Sequence, residues 1–196
     1  MDAAAKEAAV ARFLREYPQA GQAERDHPAL AGCVDADWSQ APGCPAGIPV
    51  LFRGLLDQTA GPEALHVLGN VLMDDIFHPS AAMATALPFL IRLAALPDIA
   101  VRPDVVELLV VVAVLSQPVV ANAEGWAGLF GDDRDHPERE QCRAAFAAHA
   151  SELRALLDDD GLPDGLLSAD DRECLLKAVE PQRDRRTVES CSPLIP

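Results

Sequence analysis

Three apolar segments with helical spacing follow one another in the middle of the chain, and they constrain its fold more than any other feature. The segments are residues 62–77, 80–96 and 103–115. In the second segment, apolar residues recur every three or four positions, which places them on one face of a helix. These residues are Ala84, Leu87, Leu90, Ile91 and Ala94. The pattern predicts helices packed side by side.

Helix boundaries in this run are marked by proline and serine. Pro62 and Pro103 stand where the first turn of a helix accepts a proline. Ser80 is a candidate N-cap for the second segment. Pro88 lies inside that segment, and we expect it to kink the helix near residues 84–87 rather than to end it.

The composition favours an all-α fold. Hydrophobic residues make up 49% of the chain but aromatic residues only 5%, so alanine and leucine must fill most of the core. These residues favour close packing of helices, and alternating β-branched runs typical of strands are missing. We expect residues 1–181 to form a single helical domain, and residues 182–196 to form a polar, flexible tail.

Residues 19–49 are rich in proline and glycine and predict a long irregular insert within this domain. Trp38 lies in the insert, and burial against the helices is favoured over an exposed role in recognition. Further along the chain, residues 137–157 predict one helix with His149 on its apolar side. Ser168 and Asp171 have the spacing of a capping box, which predicts the start of the last helix. The acids at 158–160 oppose the dipole of the preceding helix, whose end should fray unless a basic group approaches.

The net charge of −15, from 31 acidic and 16 basic residues, limits the possible partners. An acidic surface repels nucleic acid and anionic lipid, so we expect neither a nucleic-acid nor a membrane partner. It suits a basic protein partner, although it also suits a surface that only maintains solubility. The first residues lack the pattern of an export signal, which predicts a cytoplasmic protein.

The five cysteines do not form a recognisable motif. Their number is odd and no CxxC pair exists, so neither a disulfide framework nor a zinc ribbon is indicated. Cys33 and Cys44 flank a loop and could pair in an oxidising setting, but free thiols are expected in the cytoplasm.

Acidic and aromatic residues mark two candidate binding segments, residues 74–75 and residues 126–135. The second segment ends in an acidic tip and is typical of a binding loop, although its aromatic side chains could instead pack inward. The candidate contact residues are Asp74, Asp75, Trp126, Phe130, Asp132, Asp133 and Asp135.

A metal site is the alternative reading of the same region. In a helix, Asp74 and His78 would share a face, and Asp75 would lie beside them. The later group of Asp132, Asp133, Asp135 and His136 could supply further ligands. Because Pro79 follows directly, His78 would lie at a helix end, where a basic residue simply complements the dipole. No catalytic motif is found elsewhere, and we expect neither an enzyme nor a cofactor.

The sequence ALPFLIRLAALPD at residues 86–98, followed by VRPDVVELLVVVA at residues 101–113, resembles helical-repeat proteins of the HEAT type found in high-GC actinobacteria. The resemblance covers residues 64–113 and, more loosely, residues 144–157. This chain has DDIFH at residues 74–78, where such proteins have an HQG-type motif, so no site residue is transferred. The resemblance implies an all-α fold, a short HEAT-like α-solenoid of antiparallel helix pairs.

The resemblance also implies a function, because HEAT-like stacks are mostly protein-binding scaffolds and some resemble immunity proteins. We therefore expect a non-enzymatic immunity protein that neutralises a bacterial toxin by direct binding. Charge reversal at Asp132 and Asp133 should then weaken binding. The alternatives are a general adaptor or, less favoured, a metal-dependent hydrolase centred on Asp74 and His78.

Overall fold

A computed structural model describes residues 1–20, 27–118, 131–159, 162–163 and 165–180. In these ranges the chain forms eight α-helices and two short 3₁₀ turns, with no β-strand, which confirms the all-α prediction. The helices are α1 (Ala3–Glu16), α2 (Ile48–Gly54), α3 (Gly61–Leu72), α4 (Met83–Ala94), α5 (Arg102–Leu115), α6 (Pro137–Ala148), α7 (Ala150–Leu157) and α8 (Ala169–Ala178). The 3₁₀ turns are Pro28–Leu30 and Trp38–Gln40. In the described ranges, no helix combines the length and the apolar character that crossing a bilayer requires.

Proline marks the start of four helices, α2, α3, α5 and α6. Its ring holds the φ angle near the helical value, and its missing amide hydrogen is not needed in the first turn. Pro62 and Pro103 have the predicted positions. The Ser80 prediction is wrong, because α4 begins at Met83 with Ala82 as its N-cap. Helix α4 continues through Pro88, so this proline does not end it, as predicted.

Helix α3 is shorter than predicted, and this difference shapes the candidate site. The helix ends at Leu72, and Met73 and Pro79 then pair in an isolated antiparallel bridge. Within the intervening turn, the Phe77 amide donates to the Asp75 side chain at 2.8 Å. Such a local side-chain bond offers the backbone an alternative to the helix. The apolar spacing does not report this bond, so the predicted segment was too long at its C-terminal end.

Helix α4 lies at the centre of the core and contacts α5, α6, α7 and the first 3₁₀ turn. Leu87, Leu90 and Ile91 are fully buried, as their spacing predicted, whereas Ala84 is only half-buried. Helix α5 in turn contacts α3, α6 and α8. The three apolar segments therefore hold the N-terminal and C-terminal helices together. That the helices form antiparallel solenoid pairs remains a prediction.

Trp38 is buried within the core, which confirms the favoured reading of the insert. Its ring centroid lies 5.9 Å from that of Phe52 and 6.0 Å from that of Phe89. Its indole Nε1 donates a hydrogen bond of 2.9 Å to the Cys33 carbonyl, so the polar atom is satisfied. The described part of the insert is thereby attached to α2 and α4.

The C-terminal half contains one break that the sequence pattern did not predict. His149 leaves the helical conformation with φ −110° and separates α6 from α7. The apolar residues keep helical spacing throughout residues 137–157. The chain nevertheless breaks at His149, because both helices pack against α4 and tertiary contacts outweigh the local helical preference. Although the sequence places His149 on the apolar side of the predicted helix, its side chain is a quarter exposed and its Nδ1 lies 3.3 Å from Glu152 Oε1.

The two predictions about helix ends in this half agree with the structure. Ser168 and Asp171 form a capping box at the start of α8. Basic groups approach the acidic end of α7: Arg172 donates to the Leu157 carbonyl at 2.6 Å, and the buried Arg102 donates to Asp159 at 2.5 Å. They offset the unfavourable interaction between the acids and the helix dipole.

Candidate functional site

Two loops that are far apart in sequence meet at the surface. The first loop, residues 73–79, joins α3 to α4, and the second loop, residues 131–136, precedes α6. The rings of His78 and His136 stack with their centroids 4.2 Å apart and an interplanar angle of 21°. We call the exposed face of these loops the two-loop surface. It brings together the two acidic groups that the sequence indicated separately.

Each stacked histidine is oriented by a carboxylate. His78 Nδ1 lies 2.8 Å from Asp75 Oδ1, and His136 Nδ1 lies 2.9 Å from Glu138 Oε1. Gly131 makes room for the second ring, since a Cβ at this position would lie 2.7 Å from His136 Nε2. Gly131 also has a φ of +67°, a conformation that other residues rarely adopt. The position and the plane of the His136 ring are therefore well defined.

The same contacts change the acidity of Asp75. Partial burial alone would raise the pKa of this carboxyl. Hydrogen bonds from the Phe77 amide and the His78 side chain, together with the charge of His78, outweigh that effect and lower the pKa below the ordinary 3.8. Asp75 is therefore a carboxylate at neutral pH, and it adds negative charge to the two-loop surface.

The first loop is attached to α1 through Asp74. Lys6 Nζ lies 2.8 Å from Asp74 Oδ1, and the lysine side chain is almost completely buried. A buried ammonium group requires a partner, so Asp74 has a structural role that the sequence did not indicate. More than half of the Asp74 side chain nevertheless remains exposed.

The second loop is attached to α6 through Asp133. Its two carboxylate oxygens lie 3.3 Å from Arg139 Nη1 and 3.4 Å from Arg143 Nη2. Arg139 is fully buried, and Arg143 also donates to the Ser116 carbonyl at 2.5 Å. Asp133 therefore neutralises buried positive charge, whereas Asp132 and Asp135 are exposed.

The most exposed large hydrophobic residue in the described ranges is Ile76, at the tip of the first loop. This residue is 77% exposed and follows the acidic residues Asp74 and Asp75 directly. Ile76 was not among the predicted contact residues, because the predicted helix continued through this position. The available signal was the pair of aspartates before it, since aspartate favours turns.

The structure removes the geometric basis of the proposed metal site. Asp74 and His78 lie in a loop and not one turn apart on a helix. The described residues contain no group of three or more His, Cys, Asp or Glu side chains that could hold a metal ion. The carboxylates of Asp74 and Asp75 instead contact Lys6 and His78.

The two fully buried cysteines among the described residues, Cys33 and Cys142, have thiols that are hard to ionise. Cys33 and Cys44 are free thiols and do not form the possible disulfide. Burial raises the pKa of Cys33 to about 12, even though Arg53 and Arg92 lie near enough to oppose the shift. Burial also raises the pKa of Cys142 to about 12. Thiols of such high pKa are inert at neutral pH.

Trp126 and Phe130, the aromatic members of the predicted contact set, lie outside the described residues, as does the predicted tail at residues 182–196. Of the other predicted contacts, Asp74 and Asp75 lie on the first loop and Asp132, Asp133 and Asp135 on the second. No protein-family model matches the chain, and comparisons with curated proteins and with solved structures also give no match. The resemblance to HEAT-type repeats therefore stays a prediction.

Proposed function

We propose that the protein is a non-enzymatic binding protein that docks a basic protein partner on the two-loop surface. The observation that carries this proposal is Ile76, an isoleucine 77% exposed beside acidic side chains. Burying such a side chain in a partner removes apolar area from water, which is the usual source of binding free energy. An apolar contact surrounded by charged residues is also the common arrangement of protein interfaces.

The charge of the surface indicates the chemistry of the partner. Asp75, Asp132 and Asp135 are exposed on the same two loops. With a net charge of −15, the whole molecule attracts cationic proteins and accelerates their association. We therefore infer a partner that has an apolar pocket for Ile76 and lysine or arginine residues around that pocket.

The resemblance to HEAT-type proteins makes the proposal more specific. We infer a short stack of antiparallel helix pairs that serves as an immunity protein and covers the active site of a bacterial toxin domain. The free thiols of Cys33 and Cys44 are compatible with a reducing compartment such as the cytoplasm, where such an inhibitor would act. A stack of this kind supplies a rigid support for the two loops.

The test is a binding measurement with the product of the gene adjacent to the gene for this protein. Calorimetry at low and moderate salt should show one-to-one binding that weakens as salt rises. Ile76→Asp should lower the affinity at least about tenfold, as expected for a central interface residue. Val34→Asp is the matched control, because Val34 is also well exposed, at 65%, but lies in another loop.

Equal affinities for the two variants would contradict docking through Ile76. If the adjacent gene product does not bind, the protein itself can be used to capture partners from a lysate of its host. Capture of several unrelated cellular proteins would support the general adaptor instead of the immunity protein. Capture of one basic protein, released by salt and dependent on Ile76, would support the proposed docking surface.

A further inference from the structure

We infer that the stack of His78 and His136 is a positioning device that couples the two loops, so that a partner meets them as one preorganised surface. The inference rests on the proposed function, and it adds a role for two side chains that need not contact the partner. The centroids of the two rings lie 4.2 Å apart, and the rings have an interplanar angle of 21°. Stacked rings at this distance attract each other beyond the burial of their area.

The stack differs from the other contacts that hold the loops. Lys6 and Asp74 attach the first loop to α1, and Asp133 attaches the second loop to α6 through Arg139. These ion pairs fix each loop to a helix, the first loop to α1 and the second loop to α6. The stack instead joins one loop to the other, so it controls the relative position of Ile76 and the second-loop carboxylates.

Several features of the chain converge on the ring positions. Asp75 and Glu138 each bind the Nδ1 atom of one ring, which restricts rotation of the ring about its side-chain bonds. The absence of a side chain at Gly131 leaves space for the second ring. Oriented rings on both loops reduce the number of conformations that must be lost when a partner binds.

The coupling makes a specific prediction about amide exchange in the first loop. The amide of Asp74 donates to the His78 carbonyl at 3.0 Å, and the amide of Phe77 donates to Asp75 at 2.8 Å. Loss of the ring on the second loop should increase the opening of these bonds on the first. We expect exchange of both amides to become about three- to tenfold faster, the range that an aromatic pair can supply.

The experiment compares two double variants that differ only in a ring. His136→Ala and His136→Phe are each combined with Glu138→Gln, because the mostly buried Glu138 carboxylate would otherwise lose the ring nitrogen that it contacts. Exchange is followed by NMR, with core amides of α4 as an internal reference for global unfolding. His149→Ala is a matched control, since His149 has the same 25% exposure and also contacts a glutamate.

The alanine double variant should show faster exchange of the Asp74 and Phe77 amides, with no equal change in α4. The phenylalanine double variant and His149→Ala should keep the exchange rates of the original protein. Unchanged exchange in the alanine variant would overturn the inference. Equally fast exchange in the phenylalanine variant would also overturn it, because the ring would then not provide the coupling.

Binding is measured separately with the adjacent gene product as the probe. If both proposals hold, the alanine double variant binds several-fold more weakly than the phenylalanine double variant. If amide exchange in the first loop depends on the ring at position 136 but the adjacent gene product does not bind, the proposed function is contradicted. The coupling of the two loops is then still supported. Binding that depends on Ile76 but not on the ring at position 136 would contradict preorganisation and support the docking surface.

Discussion

Asp133 illustrates how an acidic residue in a charged loop becomes part of the internal structure. In the sequence, it belongs to an acidic group and is therefore expected to face solvent or a partner. In the structure, its carboxylate lies between Arg139 and Arg143, and only 30% of its side chain is exposed. The guanidinium of Arg139 is fully buried, so its charge depends on nearby acceptors such as Asp133.

Replacement of Asp133 should therefore lower the stability of the folded protein, whether or not Asp133 contacts a partner. We expect Asp133→Asn to lower the free energy of unfolding by about 2 kcal/mol, because it removes a negative charge beside a buried cation. The matched control is Asp132→Asn, one residue earlier and exposed, which should change stability by less than about 0.5 kcal/mol. Urea denaturation monitored by circular dichroism measures both variants.

Equal stability of the two variants would show that Arg139 does not depend on Asp133. The prediction also corrects the design of the charge-reversal test derived from the sequence. Reversal at Asp133 would combine loss of structure with loss of contact, whereas Asp132 and Asp135 can be reversed without removing a partner from a buried arginine.

The acidic residues of the candidate site were predictable from the sequence, but their roles were not. The buried positions of Lys6 and Arg139 could not be predicted, because charged residues are rarely buried and no local pattern marks the exceptions. The stack of His78 and His136 depends on the meeting of two distant loops. Periodicity describes neighbours along one helix and does not report such contacts.

The ends of elements were predictable where a residue acts through local chemistry. Pro62 and Pro103 mark helix starts because the proline ring itself favours the first turn. The end of α3 was not predictable from periodicity, since a bond from the Phe77 amide to Asp75 competes with the helix. The break at His149 depends on packing of α6 and α7 against α4.

The capping box of α8 gives a testable prediction for an element. The Asp171 amide donates to Ser168 Oγ at 3.1 Å, and the Ser168 amide donates to Asp171 Oδ2 at 2.9 Å. We expect Ser168→Ala to lower the free energy of unfolding by about 1 kcal/mol, because one amide of the first turn loses its acceptor. The measurement is urea denaturation.

Ser151→Ala is the control for this substitution. Ser151 is an exposed serine inside α7 whose hydroxyl bonds Glu152, so its removal leaves no helix terminus uncapped. It should change stability by less than about 0.5 kcal/mol. If Ser151→Ala lowered the free energy of unfolding as much as Ser168→Ala does, the effect of Ser168→Ala could not be assigned to the capping box.

At the level of the whole molecule, the excess of acidic residues gives a net charge of −15. Among the described residues, the basic side chains of Lys6, Arg102 and Arg139 are buried. Each is paired locally with a carboxylate, Lys6 with Asp74, Arg102 with Asp159 and Arg139 with Asp133. The remaining exposed carboxylates repel one another and destabilise the compact state.

Salt should consequently stabilise the folded protein. We expect the thermal unfolding midpoint to rise as sodium chloride increases to about 0.15 M, because screening at a Debye length of about 8 Å weakens repulsion between exposed acids. Differential scanning calorimetry measures the shift. Glu107→Lys on the exposed side of α5 should reduce it by lowering the net negative charge. A midpoint that falls with salt would show that surface ion pairs outweigh the repulsion.

The position of Trp38 gives the molecule an intrinsic optical reporter. The chain has two tryptophans, and the indole of Trp38 is enclosed with Phe52 and Phe89. Fluorescence from an indole shielded from water has a shorter wavelength than fluorescence from a hydrated one. Replacing Trp126 with phenylalanine would leave Trp38 as the single tryptophan, and the red shift of its selectively excited emission would report the opening of the core without any added label.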